Sequence, residues 1–246
     1  IPQLFLDAAR EPSGARAIVY FLVLSKDESV RGKQLEVLQS SADVGVFDEL
    51  QKLYQSMPEI AAQQRLPLVT IALSSMRQLS KNQYQLFRGN FKTLVEIDKK
   101  MSLLEWSLQK IVMHSLEAVF GKDEAPYFGK KNLKSCKKSV SVLLSILTHS
   151  TVQDGISNEE TFAAGADELK MSLQLIAVSE IDFDTLNNSL DDLADLKPLQ
   201  KPALLKACVR CITADGKIRA IETELLRAIA ATIDCPVPPL LLDEAV

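Results

Sequence analysis

The sequence predicts an all-α fold, and three observations lead to that prediction. Apolar residues recur at three- and four-residue spacing through most of the 246 residues, which is the period of amphipathic helices. Strict alternation of apolar and polar residues, the pattern of half-buried strands, does not extend over any convincing length. An internal repeat also aligns two helical patterns that lie 117 positions apart. We therefore expect a multi-helix domain that contains a duplicated helical unit.

Two acidic residues anchor the repeat, since Asp98 and Glu105 recur without a gap as Asp215 and Glu222. The first copy carries, in order, Leu79, Leu86, Phe87, Phe91, Leu94, Val95, Asp98, Met101, Leu104, Glu105 and Leu108. The second copy carries Leu196, Ala203, Leu204, Cys208, Cys211, Ile212, Asp215, Ile218, Ile221, Glu222 and Leu225. A repeat of this length is typical of one supersecondary unit used twice, each copy burying its apolar face against a neighbour.

Apolar spacing and capping residues define the helices of the first half. A buried helix is predicted over 15–24 and an amphipathic helix around 47–54. A third helix is predicted to begin near Pro67, because proline is tolerated in a first turn. Ser80 is placed to cap a fourth helix. The fifth helix is predicted over 102–120, and the glycine that follows it ends it.

A linker is predicted to open the second half, since residues 121–135 are rich in Gly, Lys and Pro. Two helical stretches follow between 136 and 177, with a polar break around 151–160. This region has no counterpart in the first copy of the repeat. We therefore interpret it as an insertion between the two copies.

The second copy is predicted to contain three helices. Asp184 or Thr185 is expected to cap the first, Pro198 opens the next, and the last is predicted over 218–233. The chain thus divides into an N-terminal helical segment at 1–60, a first repeat unit at 61–120, a linker with inserted helices at 121–179, and a second repeat unit with a C-terminal tail at 180–246.

Composition restricts the classes of function. With 47% hydrophobic residues, 24% charged residues and a net charge of −4, the chain is expected to be soluble. Its longest apolar stretch, 17–24, is far shorter than the ~20 residues of a membrane-spanning helix. The mild acidity argues against nucleic acid as a partner, because phosphate binding needs a basic surface. The sequence begins at Ile1 rather than at methionine, which suggests a fragment of a longer protein.

The acidic pairs have a structural interpretation and a functional one. Gly216 supplies a turn residue that tolerates positive φ, and the Asp215 carboxylate favours the start of the helix that follows. The alternative hypothesis is a divalent-cation or small-ligand sensor that uses Asp98, Glu105, Asp215 and Glu222. Seven residues along a helix span about 10.5 Å, whereas calcium takes oxygen ligands at ~2.3–2.6 Å. One pair alone would not hold an ion, so the structural interpretation is favoured and no metal is expected.

Cys208 and Cys211 have the CxxC spacing of zinc and redox sites. The repeat aligns them with Phe91 and Leu94, which are predicted core residues, and a buried free cysteine behaves as a small hydrophobe. Structural thiols are therefore expected. The two remaining cysteines have no partner spacing, which favours a reducing compartment.

The two histidines, His114 and His149, stand alone in the sequence, and neither begins an H-E-x-x-H motif. A catalytic zinc site needs several ligands and an open position, which two isolated histidines cannot supply. We expect them to be partly buried or capping residues. No catalytic residue and no cofactor are predicted in this chain.

Five lysines are concentrated in nine residues, at Lys130, Lys131, Lys134, Lys137 and Lys138. Such a run is usually a solvated helix face. Its other interpretation is contact with an anionic membrane surface, which attracts clustered lysines. That interpretation requires a parent protein that sits at a membrane.

Several blocks resemble the carboxy-terminal region of bacterial HtpX-like zinc metallopeptidases, which are related to CAAX-prenyl proteases. In the first half they are AAREPSGARA at 8–17, RLPL at 65–68 and LLEW at 103–106. In the second half they are ADGKI at 214–218, ETELLRAIA at 222–230 and DCPVPPL at 234–240. The pattern D-G-x-I-x-x-x-E at 215–222 is also similar to TerB-like helical domains. Asp98 and Glu105 match that motif in the first copy, where Lys99 replaces the glycine.

The resemblance implies a bacterial, membrane-anchored zinc metalloendopeptidase whose peptidase domain and membrane helices precede Ile1. The H-E-x-x-H helix and the third zinc-binding glutamate of that family have no match here, so the zinc is expected in the parent peptidase domain. This chain would be its non-catalytic, soluble module on the cytoplasmic side of the inner membrane. Its expected roles are protein interaction, substrate presentation or regulation, and its expected partners are the upstream peptidase domain and protein substrates or regulators.

Overall fold

The computed structural model describes residues 1–56, 60–97, 102–121, 129–150 and 155–236. Within these ranges the prediction of an all-α fold is confirmed, since the chain forms twelve α-helices and no named strand. The helices are α1 (Gln3–Ala9), α2 (Pro12–Leu22), α3 (Glu28–Ser41), α4 (Val46–Ser56), α5 (Ala62–Met76), α6 (Lys81–Glu96), α7 (Leu103–Phe120), α8 (Lys137–Ser150), α9 (Asn158–Leu169), α10 (Phe183–Ala194), α11 (Lys201–Ile212) and α12 (Ala220–Thr232). Short 3₁₀ turns lie at Leu133–Cys136, Val178–Glu180 and Pro198–Gln200.

Contacts divide the chain into two compact units, Ile1–Lys122 and Asp123–Val246. In the first unit α2 packs against α1, α4 and α5, while α5 also contacts α7 and α3 packs on α6. In the second unit α8 packs against α9, α10, α11 and α12, and α9 also lies along α11. The first unit combines the predicted N-terminal segment with the first repeat, and the second combines the predicted insertion with the second repeat.

Helix boundaries keep the register of the repeat. Helix α7 begins at Leu103 and α12 at Ala220, which is 117 positions later. The same offset separates the start of α6 from the 3₁₀ turn that leads into α11. Six aligned pairs are buried in both copies: Leu79 and Leu196, Phe87 and Leu204, Phe91 and Cys208, Leu94 and Cys211, Val95 and Ile212, Leu108 and Leu225.

The repeat pattern places Leu86 and Ala203 on the apolar face, and this prediction is wrong because both residues are exposed. Two further members of the pattern, Asp98 and Met101, lie outside the described residues. The TerB-like character of the repeated unit stays a prediction.

Several helix starts differ from the sequence prediction. Helix α2 begins at Pro12 rather than at 15, and α11 begins after the 3₁₀ turn that Pro198 opens. Helix α5 begins at Ala62, so Pro67 lies inside it. Proline has no N–H to donate to the Gln63 carbonyl oxygen, and both residues are exposed to solvent. Helix α10 is capped by Asp182, whose Oδ1 accepts a hydrogen bond from the Thr185 N–H at 2.7 Å, rather than by Asp184 or Thr185. The last helix begins at Ala220 instead of 218.

The predicted helical region before residue 177 is also shorter than expected. Helices α8 and α9 account for both predicted stretches and for the polar break between them. Beyond α9, however, residues 171–177 have no regular secondary structure. The predicted linker lies partly outside the described residues, and its end forms a 3₁₀ turn.

Helix α2 is the most buried element of the first unit. Its residues from Gly14 to Tyr20 are all buried, in agreement with the predicted core helix. A Cβ atom built on Gly14 would lie 2.4 Å from the Ala8 carbonyl oxygen, so α1 and α2 approach closely there. Among the described residues no helix is long and apolar enough to cross a membrane.

Replacing Gly14 by alanine is expected to destabilise the protein by about 1–3 kcal/mol, because the added methyl group overlaps the α1 backbone. Gly32 in α3 is the matched control, since a Cβ atom there meets no heavy atom within 4 Å. Gly32→Ala should stabilise by about 0.5–1 kcal/mol through the better helix propensity of alanine. Urea denaturation measures both changes. Effects of the same sign would contradict the close contact between α1 and α2.

Candidate functional site

The acidic pair of the second copy is bridged by an arginine. Arg219 Nη1 lies 2.7 Å from Asp215 Oδ2 and 3.2 Å from Glu222 Oε1. The Arg219 backbone N–H also donates to Glu222 Oε2 at 2.7 Å. Both carboxylates are withdrawn from water, with side chains that are 4% exposed for Asp215 and 0% exposed for Glu222. One guanidinium group therefore bridges two buried acidic side chains, which favours the structural interpretation of the pair.

A turn and a helix start create this arrangement. Gly216 adopts a φ of +77°, as predicted, and the Lys217 N–H donates to Asp215 Oδ1 at 3.0 Å. Asp215 precedes α12 by five positions and contacts its N-cap residue, Arg219, through the side chain. That its carboxylate stabilises the start of the helix stays a prediction. Glu222 is the carboxylate in the first turn, where it accepts the N–H of the capping residue Arg219.

Burial makes the Glu222 carboxyl group a weaker acid than an ordinary glutamate. Loss of solvation raises the pKa of its carboxyl above the ordinary value, while the Arg219 N–H and guanidinium group oppose that rise. The folded protein thus binds a proton at Glu222 more tightly than the unfolded chain does. Taken alone, this group lowers stability as the pH rises from the unfolded to the folded pKa.

In the first copy, the glutamate at the corresponding helix position binds a serine instead of an arginine. Glu105 accepts hydrogen bonds at 2.7 Å from both the Ser102 N–H and the Ser102 hydroxyl, and its own N–H donates to Ser102 Oγ. Asp98, the fourth candidate, lies outside the described residues. The structure therefore engages Glu105 and Glu222 in equivalent capping contacts, each within its own unit. In the described ranges, no group of three or more His, Cys, Asp or Glu side chains is arranged to hold a metal ion.

Cys208 and Cys211 are buried on α11, as are Phe91 and Leu94 at the matching positions of α6. The prediction that the repeat places both thiols in the core is confirmed. Thr148 Oγ1 lies 3.3 Å from Cys211 Sγ. Burial raises the pKa of Cys211 to about 11 and that of Cys208 well above its usual range. Both thiols consequently stay protonated at neutral pH, which makes them poor nucleophiles.

Helix α8 carries a row of polar side chains that bind backbone. Ser141 Oγ accepts a hydrogen bond from the Gln174 N–H at 3.2 Å, and Ser145 Oγ accepts one from the Ile176 N–H at 2.9 Å. His149 donates from Nε2 to the Ile176 carbonyl oxygen at 2.8 Å. Because these three side chains are four residues apart, they share one face of the helix. We call this set of three side chains the α8 stripe.

The backbone bound by the α8 stripe belongs to residues 171–177, which we call the strap. The strap runs in the same direction as α8, because Gln174 meets Ser141 and Ile176 meets Ser145. Four helical residues rise roughly 6 Å, a distance that two residues cover only in an extended backbone. Its apolar side chains are half-buried, at Met171, Leu173, Leu175 and Ile176. Side chains at the intervening positions 172 and 174 are exposed. Backbone hydrogen bonds combined with alternate inward side chains are the usual means of binding an extended peptide.

The two histidines have separate surroundings. His114 is half-buried on α7, and His149 is half-buried at the end of the α8 stripe. This confirms the prediction that both are partly buried. The binding role of His149 toward the strap was not predicted, because its partner lies 27 residues away in the sequence.

All five lysines of the lysine run are exposed. Lys131 Nζ lies 2.5 Å from Asp192 Oδ1 and 3.8 Å from Asp195 Oδ2, so this lysine connects the start of the second unit to α10. Its backbone N–H also donates to the Asp195 carbonyl oxygen at 2.9 Å. At least one member of the run therefore has a structural role.

A partly buried ion pair in the first unit was missed by the sequence analysis. Arg16, on the buried helix α2, places Nη1 2.8 Å from Asp43 Oδ2 and donates from Nε to the Pro12 carbonyl oxygen. The hydrogen bond from Arg16 holds the pKa of Asp43 below its ordinary value. This pair connects α2 to the segment between α3 and α4, and its geometry indicates a structural role.

Comparisons of the chain with models of protein families, with curated proteins and with solved structures give no match in any of the three. Function must therefore be argued from the contacts themselves. Both carboxylates of the acidic pair contact Arg219, and the CxxC thiols are buried in the core. The α8 stripe is different, because it binds main-chain groups that every polypeptide offers.

Substituting Arg219 by methionine tests the structural interpretation of the acidic cluster. The variant should lose about 2–3 kcal/mol at pH 7, less than the ~3–5 kcal/mol of a fully buried pair, because Arg219 is 24% exposed. The loss should shrink as the pH falls toward 4, since Glu222 then becomes protonated and needs no counter-charge. Urea denaturation at several pH values measures both effects.

Ser102→Ala is the control. It removes the equivalent cap in the first copy, but it does not deprive a buried carboxylate of its cation. It should cost about 1 kcal/mol, with a smaller dependence on pH. A stability loss in Arg219→Met that stays constant from pH 7 to pH 4 would contradict the charge-balancing role.

Proposed function

We propose that this chain is a non-catalytic helical module that binds protein segments for a membrane-anchored, HtpX-like zinc metallopeptidase. The parentage is supported by the sequence blocks at 8–17, 65–68, 103–106, 214–218, 222–230 and 234–240. One observation supports the binding role: the side chains of the α8 stripe form hydrogen bonds with an extended backbone. The module would present or regulate substrates of the upstream peptidase domain.

The chemistry of the α8 stripe suits this role. Two hydroxyl groups and one imidazole contact N–H and C=O groups, which are common to all substrates, so recognition tolerates many sequences. Extended backbone is also the form in which a peptidase receives a substrate segment. A module that holds locally unfolded chain would therefore raise its concentration near the peptidase domain.

Several described groups support a non-catalytic role. The thiol of Cys211 has its pKa raised to about 11, so little thiolate is present at neutral pH. Asp215 and Glu222 are both paired with Arg219. His149 Nε2 is engaged with the Ile176 carbonyl oxygen rather than with a nucleophile.

Membrane attachment follows from the proposed parentage. The module would lie on the cytoplasmic side of the inner membrane, where anionic lipids attract clustered lysines. The exposed lysines of the lysine run, at 130, 131, 134, 137 and 138, would contribute positive charge to that contact.

Fluorescein-labelled β-casein, which is an unfolded chain, tests binding and catalysis in one assay. Fluorescence anisotropy should rise and saturate as the protein is added, because bound casein tumbles more slowly. It should then stay constant for hours, with or without added zinc, because no peptide bond is cleaved. A folded protein with the same label is the control and should not bind. No rise would contradict the binding role, and a chelator-sensitive fall would mean that the chain is an enzyme.

A further inference from the structure

We propose that the strap is a built-in competitor that occupies the α8 stripe until a partner displaces it. The partner is an extended polypeptide segment with apolar side chains at alternate positions. This inference rests on the proposed binding function and adds the occupant, its chemistry and its regulation. The resident strap itself shows which ligand fits, because its backbone and side chains already fill the site.

The strap is held more weakly than the surface beneath it. Ser141 and Ser145 belong to a stretch of α8 that is buried from Val140 to Thr148. The four apolar side chains of the strap, in contrast, are only half-buried. Its main chain is held to α8 by three side chain–backbone hydrogen bonds and to the end of α9 by the Met171 N–H, which donates to the Ala166 carbonyl oxygen. Elements with few buried apolar contacts open first in native proteins. Lifting the strap would uncover the α8 stripe while the helices stay packed.

Both ends of the strap allow such a movement. Lys170, directly before it, is the left-handed C-cap of α9, and its N–H and that of Met171 donate to the Asp167 and Ala166 carbonyl oxygens. These capping bonds lie within the end of α9 and the first strap residue, so they do not require the contacts of the strap with α8. At the other end, α10 is capped independently by Asp182 through the Thr185 N–H. The strap can therefore leave without removing the cap of the next helix.

The contacts define what the displacing segment must contain. It needs backbone N–H groups at two positions that are two residues apart, in place of Gln174 and Ile176, and so cannot have proline at either. It needs a carbonyl oxygen at the second position for His149. Apolar side chains at alternate positions would replace Leu173 and Leu175.

A peptide with the sequence of residues 170–180, labelled with fluorescein, is the probe for the full chain. Wild-type protein should bind it weakly, because the resident strap competes for the site. Leu173→Ser combined with Leu175→Ser weakens the strap alone and should tighten peptide binding at least about tenfold. Adding Ser141→Ala and Ser145→Ala should abolish this gain. Adding Ser150→Ala should preserve it, because Ser150 bonds only carbonyl groups of its own helix.

The matched control peptide carries N-methyl groups on the amides of Gln174 and Ile176, so its side chains are unchanged while both donors are lost. It should bind the strap variant at least about tenfold more weakly than the unmodified peptide. Equal peptide affinity of wild type and strap variant would overturn the proposal. Loss of cooperative unfolding in the strap variant would also overturn the proposal, because the proposal requires that the helices fold without the strap in place. Casein binding that survives the α8 stripe substitutions would leave the binding function standing and refute this site.

Discussion

The second unit depends on one constraint: helix α8 is buried along most of its length yet carries polar side chains that each need a partner. Ser139 donates to Asp192 on α10, and Thr148 donates to the Leu144 carbonyl oxygen. The α8 stripe uses the backbone of the strap in the same way. The partners of α8 therefore come from several elements, and satisfying them determines where those elements lie.

This constraint connects packing to the proposed function. A serine whose hydroxyl is buried under an extended segment satisfies that segment's N–H, whichever side chain the segment carries. Contacts made for stability thus form a surface that recognises main chain. The acidic cluster around Arg219 has the opposite character, because both of its carboxylates already contact a guanidinium group of the same unit.

Local features of this fold could be predicted from the sequence, whereas long-range polar contacts could not. Ser80 was recognised as a cap because a cap depends on the next three residues, and the predicted start of the fifth helix at 102 differs by one residue from α7, which Ser102 caps. The strap was assigned to a helical region, although alternation at 171–175 was a short strand-like signal. The partners Arg16 and Asp43 are 27 positions apart, so no local pattern reveals their ion pair. The repeat register succeeded over long distance because it compares the sequence with itself.

Amide hydrogen exchange of Ile176 tests most directly whether the α8 stripe holds the strap. Three proteins are compared by NMR: wild type, Ser145→Ala, and Ser150→Ala as a control on the same helix. The account predicts that Ser145→Ala accelerates exchange at Ile176 at least about tenfold, while Ser150→Ala and the core amides of α8 keep wild-type rates. Equal exchange at Ile176 in all three proteins would contradict it.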